Sequence, residues 1–279
     1  MATLIQILEQ QLAMKGSGLS NPTQRILLKE VLQSQVLHFL YNHKNYRNLN
    51  FYGGSCLRVV YQLNRMSEDI DLDNGNQVSL DHLVEDIHNF FYSNLATDAI
   101  TSSFQRSENQ IFRITLKFPV LFALKITQHQ NENLHLKIEI SQHAQKAIIE
   151  KTPLVYYGKS FVPSHFSIET MMAGKIIACL QRSFVVGNTK TDFKARDFYD
   201  LLWLMQKNIQ PFREKLIIDG NLPVSLSEVF GLLEEKINLI DPNDLYRDLS
   251  HLFEDQYFIE SWCKNFKTNF LRFSQPYRQ

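Results

Sequence analysis

The stretch that most constrains this chain runs from Leu49 to Asp73. A short apolar segment, Leu49-Asn50-Phe51-Tyr52, reads as a strand entering a glycine turn, Gly53-Gly54-Ser55. A helix-capable run follows from Leu57 to Leu63. A second strand, Ser67 to Asp73, then ends in Asp69-Ile70-Asp71-Leu72-Asp73. Alternate side chains of a strand share a face and lie about 6.5–7 Å apart. Asp69, Asp71 and Asp73 therefore point one way, while Ile70 and Leu72 point into a core. Carboxylates held that close repel unless cations neutralise them, and magnesium, with its hard oxygen ligands, is the natural partner. The glycines let backbone N–H groups approach an anion with no Cβ in the way. The start of the following helix adds a partial positive charge, and Ser55 adds a hydroxyl for a phosphate oxygen. Each part has an ordinary reading by itself: a plain turn, and an acidic strand facing solvent.

Two rival motifs fail on position. An EF-hand that opens at Asp69 needs glycine sixth and glutamate twelfth, where the chain has Asn74 and Leu80. Neither GxxxxGK[ST] nor GxGxxG occurs, which removes the P-loop and the dinucleotide fingerprint.

The remaining pattern is helices, a sheet, then helices. Residues 2–14 have helical spacing, and Asn21-Pro22 opens a second helix, with Asn21 as cap. Its apolar face is Leu27, Val31, Leu32, Val36, Phe39 and Leu40. Ser79 is the expected cap of a helix reaching Asn94. Strands are expected over 111–118, 120–127 and 134–141; in the last, Leu134, Leu136, Ile138 and Ile140 oppose His135, Lys137, Glu139 and Ser141. Strand signals fade after about residue 163. Ser167 caps a helix to Arg182, a polar loop covers 187–191, and helices follow near 194–207, 211–219, 225–239 and 243–273, the last broken. The fold class is α+β: a small mixed β-sheet flanked by an N-terminal helical segment and a mostly helical C-terminal half. The division expected is 1–160 for the N-terminal helices with the sheet and 161–279 for the helical domain.

Composition excludes more than it identifies. Net charge is +0 and pI about 7.1, so any basic surface is local. The 3 cysteines are far apart and lack a CxxC pair, which argues against disulfides and structural zinc and fits a reducing compartment. No signal-like segment and no membrane-spanning run is present. The expectation is a soluble, cytoplasmic protein with no membrane role.

The C-terminal half holds a second set of charges. Lys175 and Arg182 are seven residues apart on one helix, hence on one face. A cation pair there would stabilise β- and γ-phosphates and leaving pyrophosphate; two solvated surface cations is the plainer reading. In Arg196-Asp197-Phe198-Tyr199-Asp200, Arg196 and Asp200 have the i,i+4 spacing of a helical ion pair. Asp197 can act as a general base on an attacking hydroxyl or can orient Lys175. Lys190, Lys194 and Arg196, with Arg58, Arg65 and Lys137, would attract a polyanion.

Together these blocks resemble the AbiEii/AbiGii-type nucleotidyltransferases, including the MenT toxins, of the DNA polymerase β-like superfamily. The first motif is Gly54-Ser55 with Asp69-x-Asp71, and the second Lys137-Ile138-Glu139. The third is Lys175 to Arg182, and the fourth Arg196-Asp197-x-x-Asp200. The resemblance runs from about residue 50 to 205. One departure is the interval from Ser55 to Asp69, 13 residues, longer than the shortest family versions. The resemblance implies a nucleotidyltransferase sheet flanked by helices, and the toxin half of a type IV-like toxin–antitoxin or abortive-infection pair whose antitoxin is a separate chain. It makes Asp69, Lys175 and Asp197 the catalytic core, and Asp69, Asp71 and Glu139 the ligands of Mg²⁺, or of Mn²⁺ in its place. Gly54, Ser55, Arg58, Lys137, Lys175, Arg182, Arg196 and Asp200 fall to the nucleotide. The expected reaction moves NMP from an NTP to a hydroxyl, at the 3′ end of tRNA, and releases pyrophosphate. Alternatives are transfer to a small molecule or protein, and an NTP-binding module without turnover.

Overall fold

The computed structural model describes residues 2–97, 99–106, 111–182, 184–186, 189–191 and 194–279. The chain divides into two compact units, Met1–Ala144 with Ile149–His165, and Gln145–Ile148 with Phe166–Gln279.

Unit 1 opens with α1 (Leu4–Lys15) and α2 (Asn21–Asn42). The cap of α2 is Ser20 rather than Asn21: the Ser20 hydroxyl accepts from the Thr23 backbone N–H, leaving Asn21 and Pro22 as the first helical residues. Burial on α2 goes beyond one face. Leu28, Val31, Leu32, Val36, Leu37 and Leu40 are fully buried, each worth about 1.5–3 kcal/mol, and Glu30, Gln33, Ser34 and Gln35 are buried beside them. Then come β1 (Asn50–Tyr52), α3 (Gly53–Val59), β2 (Ile70–Asp73) and α4 (Leu83–Leu95). α3 begins at the glycine turn itself, four residues before the run that sequence periodicity marks. Ser79 caps no helix; its hydroxyl donates to the Asp81 carboxylate at 2.8 Å, and α4 starts after His82.

The sheet continues with β3 (Thr101–Arg106), β4 (Ile111–Phe118), β5 (Leu134–Ser141), β6 (Ile149–Lys151), β7 (Leu154–Tyr156), β8 (Lys159–Phe161) and β9 (Ser164–Phe166). Seven strands lie in the order β3-β4-β5-β2-β1-β9-β6, with β7 and β8 as a separate hairpin. The sheet is mixed: β2 runs parallel to β5 and antiparallel to β1, while β1 runs parallel to β9. The expected strand over 120–127 is instead a set of turns, with Leu124 N–H bonded to Val120 O and Ile126 N–H to Leu121 O, both at 3.0 Å. Val120, Leu121, Leu124 and Ile126 are the buried members; the adjacent pair Val120-Leu121 would fall on opposite faces of a strand of period two.

Unit 2 comprises α5 (Ile168–Gln181), the hairpin β10 (Phe184–Val186) and β11 (Thr189–Thr191), then α6 (Ala195–Gln206), α7 (Arg213–Ile218), α8 (Leu226–Asn238), α9 (Pro242–Leu249) and α10 (Gln256–Ser274). The hairpin occupies part of the expected polar loop; Gly187 and Asn188 lie outside the described residues. Ser167 caps α5 as expected. α5 packs on α6, α7 and α8, and α6 on α9 and α10. The segment 145–148 is tied into this unit. Ile148 N–H donates to Thr170 Oγ1 at 3.0 Å and Lys146 N–H to Asp219 at 3.0 Å. Among the described residues no helix is long and apolar enough to cross a membrane.

Candidate nucleotidyl-transfer residues

In unit 1 the glycine turn and the acidic strand are built against each other. The β1–β2 register sets Tyr52 opposite Asp71. Gly53 follows at φ +79°, and a Cβ there would run into the Asp71 carboxylate. Glycine is thus required twice at this position, by backbone conformation and by the side chain across from it. Ser55 is fully buried, and its Oγ has no hydrogen-bond partner, an uncommon state for a buried hydroxyl.

The carboxylates divide by role. Ile70 and Leu72 are fully buried, as alternation requires. Asp71 is half-buried, and in the parallel β2–β5 pairing it lies in register with Glu139. Glu139 is in turn opposite Arg113 of β4 and pairs with its Nε at 2.7 Å. Asp71, Glu139 and Arg113 thus form one row across three strands. Lys137 is exposed two residues earlier on β5, and Asp69 stands just before β2 begins. Asp73 is buried and structural, accepting from Asn50 Nδ2 and from Gly75 N–H, both at 3.1 Å.

Arg58, expected at the nucleotide, is committed elsewhere. Its Nε and Nη2 reach the two carboxylate oxygens of the buried Glu30 at 2.9 and 3.3 Å, and its Nη1 donates to Leu63 O. Glu30 also accepts from Ser67 N–H and Tyr157 OH. This ion pair holds α3 to α2.

In unit 2, Lys175, Arg182, Asp197 and Asp200 form one network. The buried Lys175 ammonium reaches Asp197 Oδ1 at 2.8 Å and Asp200 Oδ2 at 2.7 Å, and Arg182 Nη1 reaches Asp197 Oδ2 at 2.8 Å. Both cations therefore meet carboxylates of the same unit. Asp200, expected to pair with Arg196, pairs with Lys175. Burial would raise the Asp197 pKa, but Lys175 and Arg182 outweigh it and hold the carboxyl below the ordinary aspartate value. A general base works best with a pKa near the working pH, so of the two roles open to Asp197 the geometry favours orienting Lys175. Lys194, at the start of α6, has its pKa lowered by burial and by neighbouring Arg196 and Arg182. Asp248 caps the adjacent Ala195 N–H at 2.9 Å.

Among the described residues no three His, Cys, Asp or Glu side chains converge to hold a metal ion. Asp71 in register with Glu139 still fits magnesium, which characteristically takes one or two carboxylates and completes its shell with water and substrate phosphate. Sequence reasoning missed Arg113 and Glu30. Arg113 was findable as an outward residue of the alternating 111–118 strand, and Glu30 as the acid set between Leu27 and Val31 on an apolar helix face.

A mixed sheet carrying a glycine turn against an Asp-x-Asp strand, with a neighbouring carboxylate in register, defines a nucleotidyltransferase-type fold. The comparisons with known proteins agree. The family profile described as nucleotidyl transferase AbiEii toxin, type IV toxin–antitoxin system, matches residues 38–268, and the chain belongs to that family. The crystal structure of JHP933 from Helicobacter pylori superposes with a TM-score of 0.53 at 19% identity, covering 93% of this chain and 95% of that one. A second Helicobacter pylori structure, with a provisional nucleotidyltransferase assignment, gives 0.49 at 18% identity over 90% and 95% of the two chains. At 19% identity the likeness to JHP933 speaks to the fold alone. No curated protein sequence matches.

Proposed function

We propose that the chain moves a nucleotidyl group from a nucleoside triphosphate to the 3′-terminal hydroxyl of tRNA, as the toxin of a pair whose antitoxin is a separate chain. The observation that carries the reading is the row Asp71–Glu139 set against the Gly53-Gly54-Ser55 turn. The acceptor oxygen bonds to the α-phosphorus, the bond from that phosphorus to the β-bridging oxygen breaks, pyrophosphate leaves, and the hydroxyl proton passes to solvent. Asp69 and Asp71, with Glu139, would hold Mg²⁺, which when bound offsets triphosphate charge and polarises the α-phosphate. Gly54 and Ser55 receive phosphate oxygens. Asp197 and Asp200 hold Lys175 charged and in place, and Arg182 carries the network to solvent, its side chain 47% exposed. Arg196 and Lys194 lie beside Asp197 in sequence. Chemistry of this kind depends mostly on positioning and charge stabilisation.

A polyanionic acceptor is supported by the β4–β5 face. Lys117 is in register with His135 there, and Lys137 lies two residues along. The His135 pKa is lowered by its own burial and then by Lys117, Lys29 and Lys137, which marks a local concentration of positive charge.

The test incubates purified protein with each labelled NTP, total tRNA and Mg²⁺, beside Asp69→Ala and Lys175→Ala. Each variant should lose about 10²–10³-fold in rate, as with loss of one transition-state donor. Absence of label on tRNA with every NTP would remove the tRNA reading, and label on a small molecule or protein would redirect the acceptor. Undiminished transfer by either variant would remove that residue from the site.

A further inference from the structure

The 13 residues between Ser55 and Asp69 form a braced loop. Gln62 takes φ +62°, and Leu63 N–H bonds back to Leu57 O at 2.9 Å, which folds the chain back onto the end of α3. Arg58 holds Leu63 O at 3.0 Å. Ser67 is gripped at both backbone groups: its N–H donates to Glu30 at 3.1 Å, and its O accepts from Gln33 Nε2 at 3.0 Å. Between these anchors lies Arg65, only 2% exposed. Its Nη1 donates to Met66 O at 2.9 Å, the kind of fixed partner a buried arginine needs.

Where the guanidinium lies gives the task. A Cβ placed on Gly54 would stand 2.7 Å from Arg65 Nη2, 3.6 Å from Cζ and 3.5 Å from Ser67 Oγ. Gly53 is at positive φ and Gly54 is not, so the two glycines answer to different demands. Gly53 satisfies the backbone and Asp71; Gly54 leaves room for the Arg65 head. The next residue, Ser55, carries the buried hydroxyl with no partner.

We infer that Arg65 is a positioning residue for the phosphate-receiving turn. Its planar head fills the space a Gly54 side chain would take and fixes the Gly54–Ser55 backbone in the form that meets a nucleoside triphosphate. The long interval before Asp69 exists to deliver it. The inference rests on the reading that this turn receives phosphate.

A double-mutant cycle of Gly54→Ala and Arg65→Ala tests it, read by thermal unfolding and by calorimetric affinity for ATP, GTP, CTP and UTP with Mg²⁺. Arg65→Ala is expected to weaken binding about tenfold or more, with KM for the NTP rising and KM for tRNA unchanged. Gly54→Ala should weaken it about tenfold in the wild type and under about twofold in the Arg65→Ala background, because contacting residues are not additive. Arg65→Lys, which keeps charge without the planar fork, gives a second arm if Arg65→Ala does not fold. Strict additivity, or a folded Arg65 variant with wild-type affinity, overturns the inference. If the wild type binds none of the four NTPs, the proposed function fails instead. The unfolding midpoints then still decide whether Gly54 and Arg65 are coupled.

Discussion

The substitution Asp197→Asn probes the unit 2 network without changing side-chain size. Asp197 is 2% exposed at its side chain and takes two cations, Lys175 and Arg182, each at 2.8 Å. Breaking a buried ion pair by removing one partner costs about 3–5 kcal/mol. The lower end applies, because Lys175 keeps Asp200 at 2.7 Å and Arg182 is half-exposed. At roughly 2–4 °C per kcal/mol for a chain of this size, a loss of about 3 kcal/mol lowers the midpoint by about 6–12 °C. The folded pKa of Asp197 is depressed below its ordinary 3.8, burial opposing and the two cations prevailing. A depressed carboxylate stabilises fully above the unfolded pKa and loses that stabilisation as pH falls toward the folded one. The gap between wild type and variant should therefore be constant from pH 8 to about 5 and narrow below about 4. Thermal unfolding across this range is the assay. A midpoint change under about 2 °C at pH 7, or a gap unchanged to pH 3, would refute the assignment of Asp197 as the network's anchor.

Three further substitutions separate structure from ligand binding. Gly53→Ala forces a side chain into positive φ and onto Asp71, costing at least about 1–3 kcal/mol, measurable by denaturant unfolding; an unchanged midpoint contradicts the fit between turn and strand. Arg113→Ala removes a part-exposed pair with Glu139, so stability changes by under about 1 kcal/mol, while Mg²⁺ affinity in the nucleotide complex rises as Glu139 is released. Unchanged or weaker Mg²⁺ affinity takes Glu139 out of the ligand set. Arg58→Ala leaves Glu30 buried and unneutralised, a loss of about 3 kcal/mol. Adding Glu30→Gln should recover much of it, and a further loss in the double variant would show that charge is not the issue.

Local pattern revealed what local forces decide. The strands over 111–118 and 134–141 were legible because one face of each is buried and the other wet, and α5 because Ser167 is a strong cap. β3 was not, since Thr101–Arg106 sits at a sheet edge with mostly exposed side chains and carries no alternation to read. Nor were β6 to β9, at three residues each, which exist through their pairings. In the site, alternation placed Glu139 on the outward face, but only the parallel register makes Asp71 its neighbour. Likewise Lys175, Asp197 and Asp200 were each legible as charges, whereas the pairing of Asp200 with Lys175 depends on how α6 packs on α5.

Charge accounting leads to a last prediction, on metal dependence. The unit 1 row presents Asp71 and Glu139, with Arg113 paired to the latter and Asp69 just before β2. In unit 2, Lys175 and Arg182 are matched by Asp197 and Asp200. A triphosphate that meets the Gly53-Gly54-Ser55 turn of unit 1 brings several more negative charges to this acidic row. Bound divalent cation must then supply most of the countercharge, so NTP affinity in EDTA should fall by about 100-fold or more, equivalent to about 2.7 kcal/mol. Asp71→Asn, which removes one carboxylate from the row, should lose affinity in Mg²⁺ yet gain slightly in EDTA. Calorimetry with and without Mg²⁺ reads both signs. Equal affinity in EDTA and Mg²⁺ would mean that the chain's own cations carry the triphosphate and that the acidic row has another use.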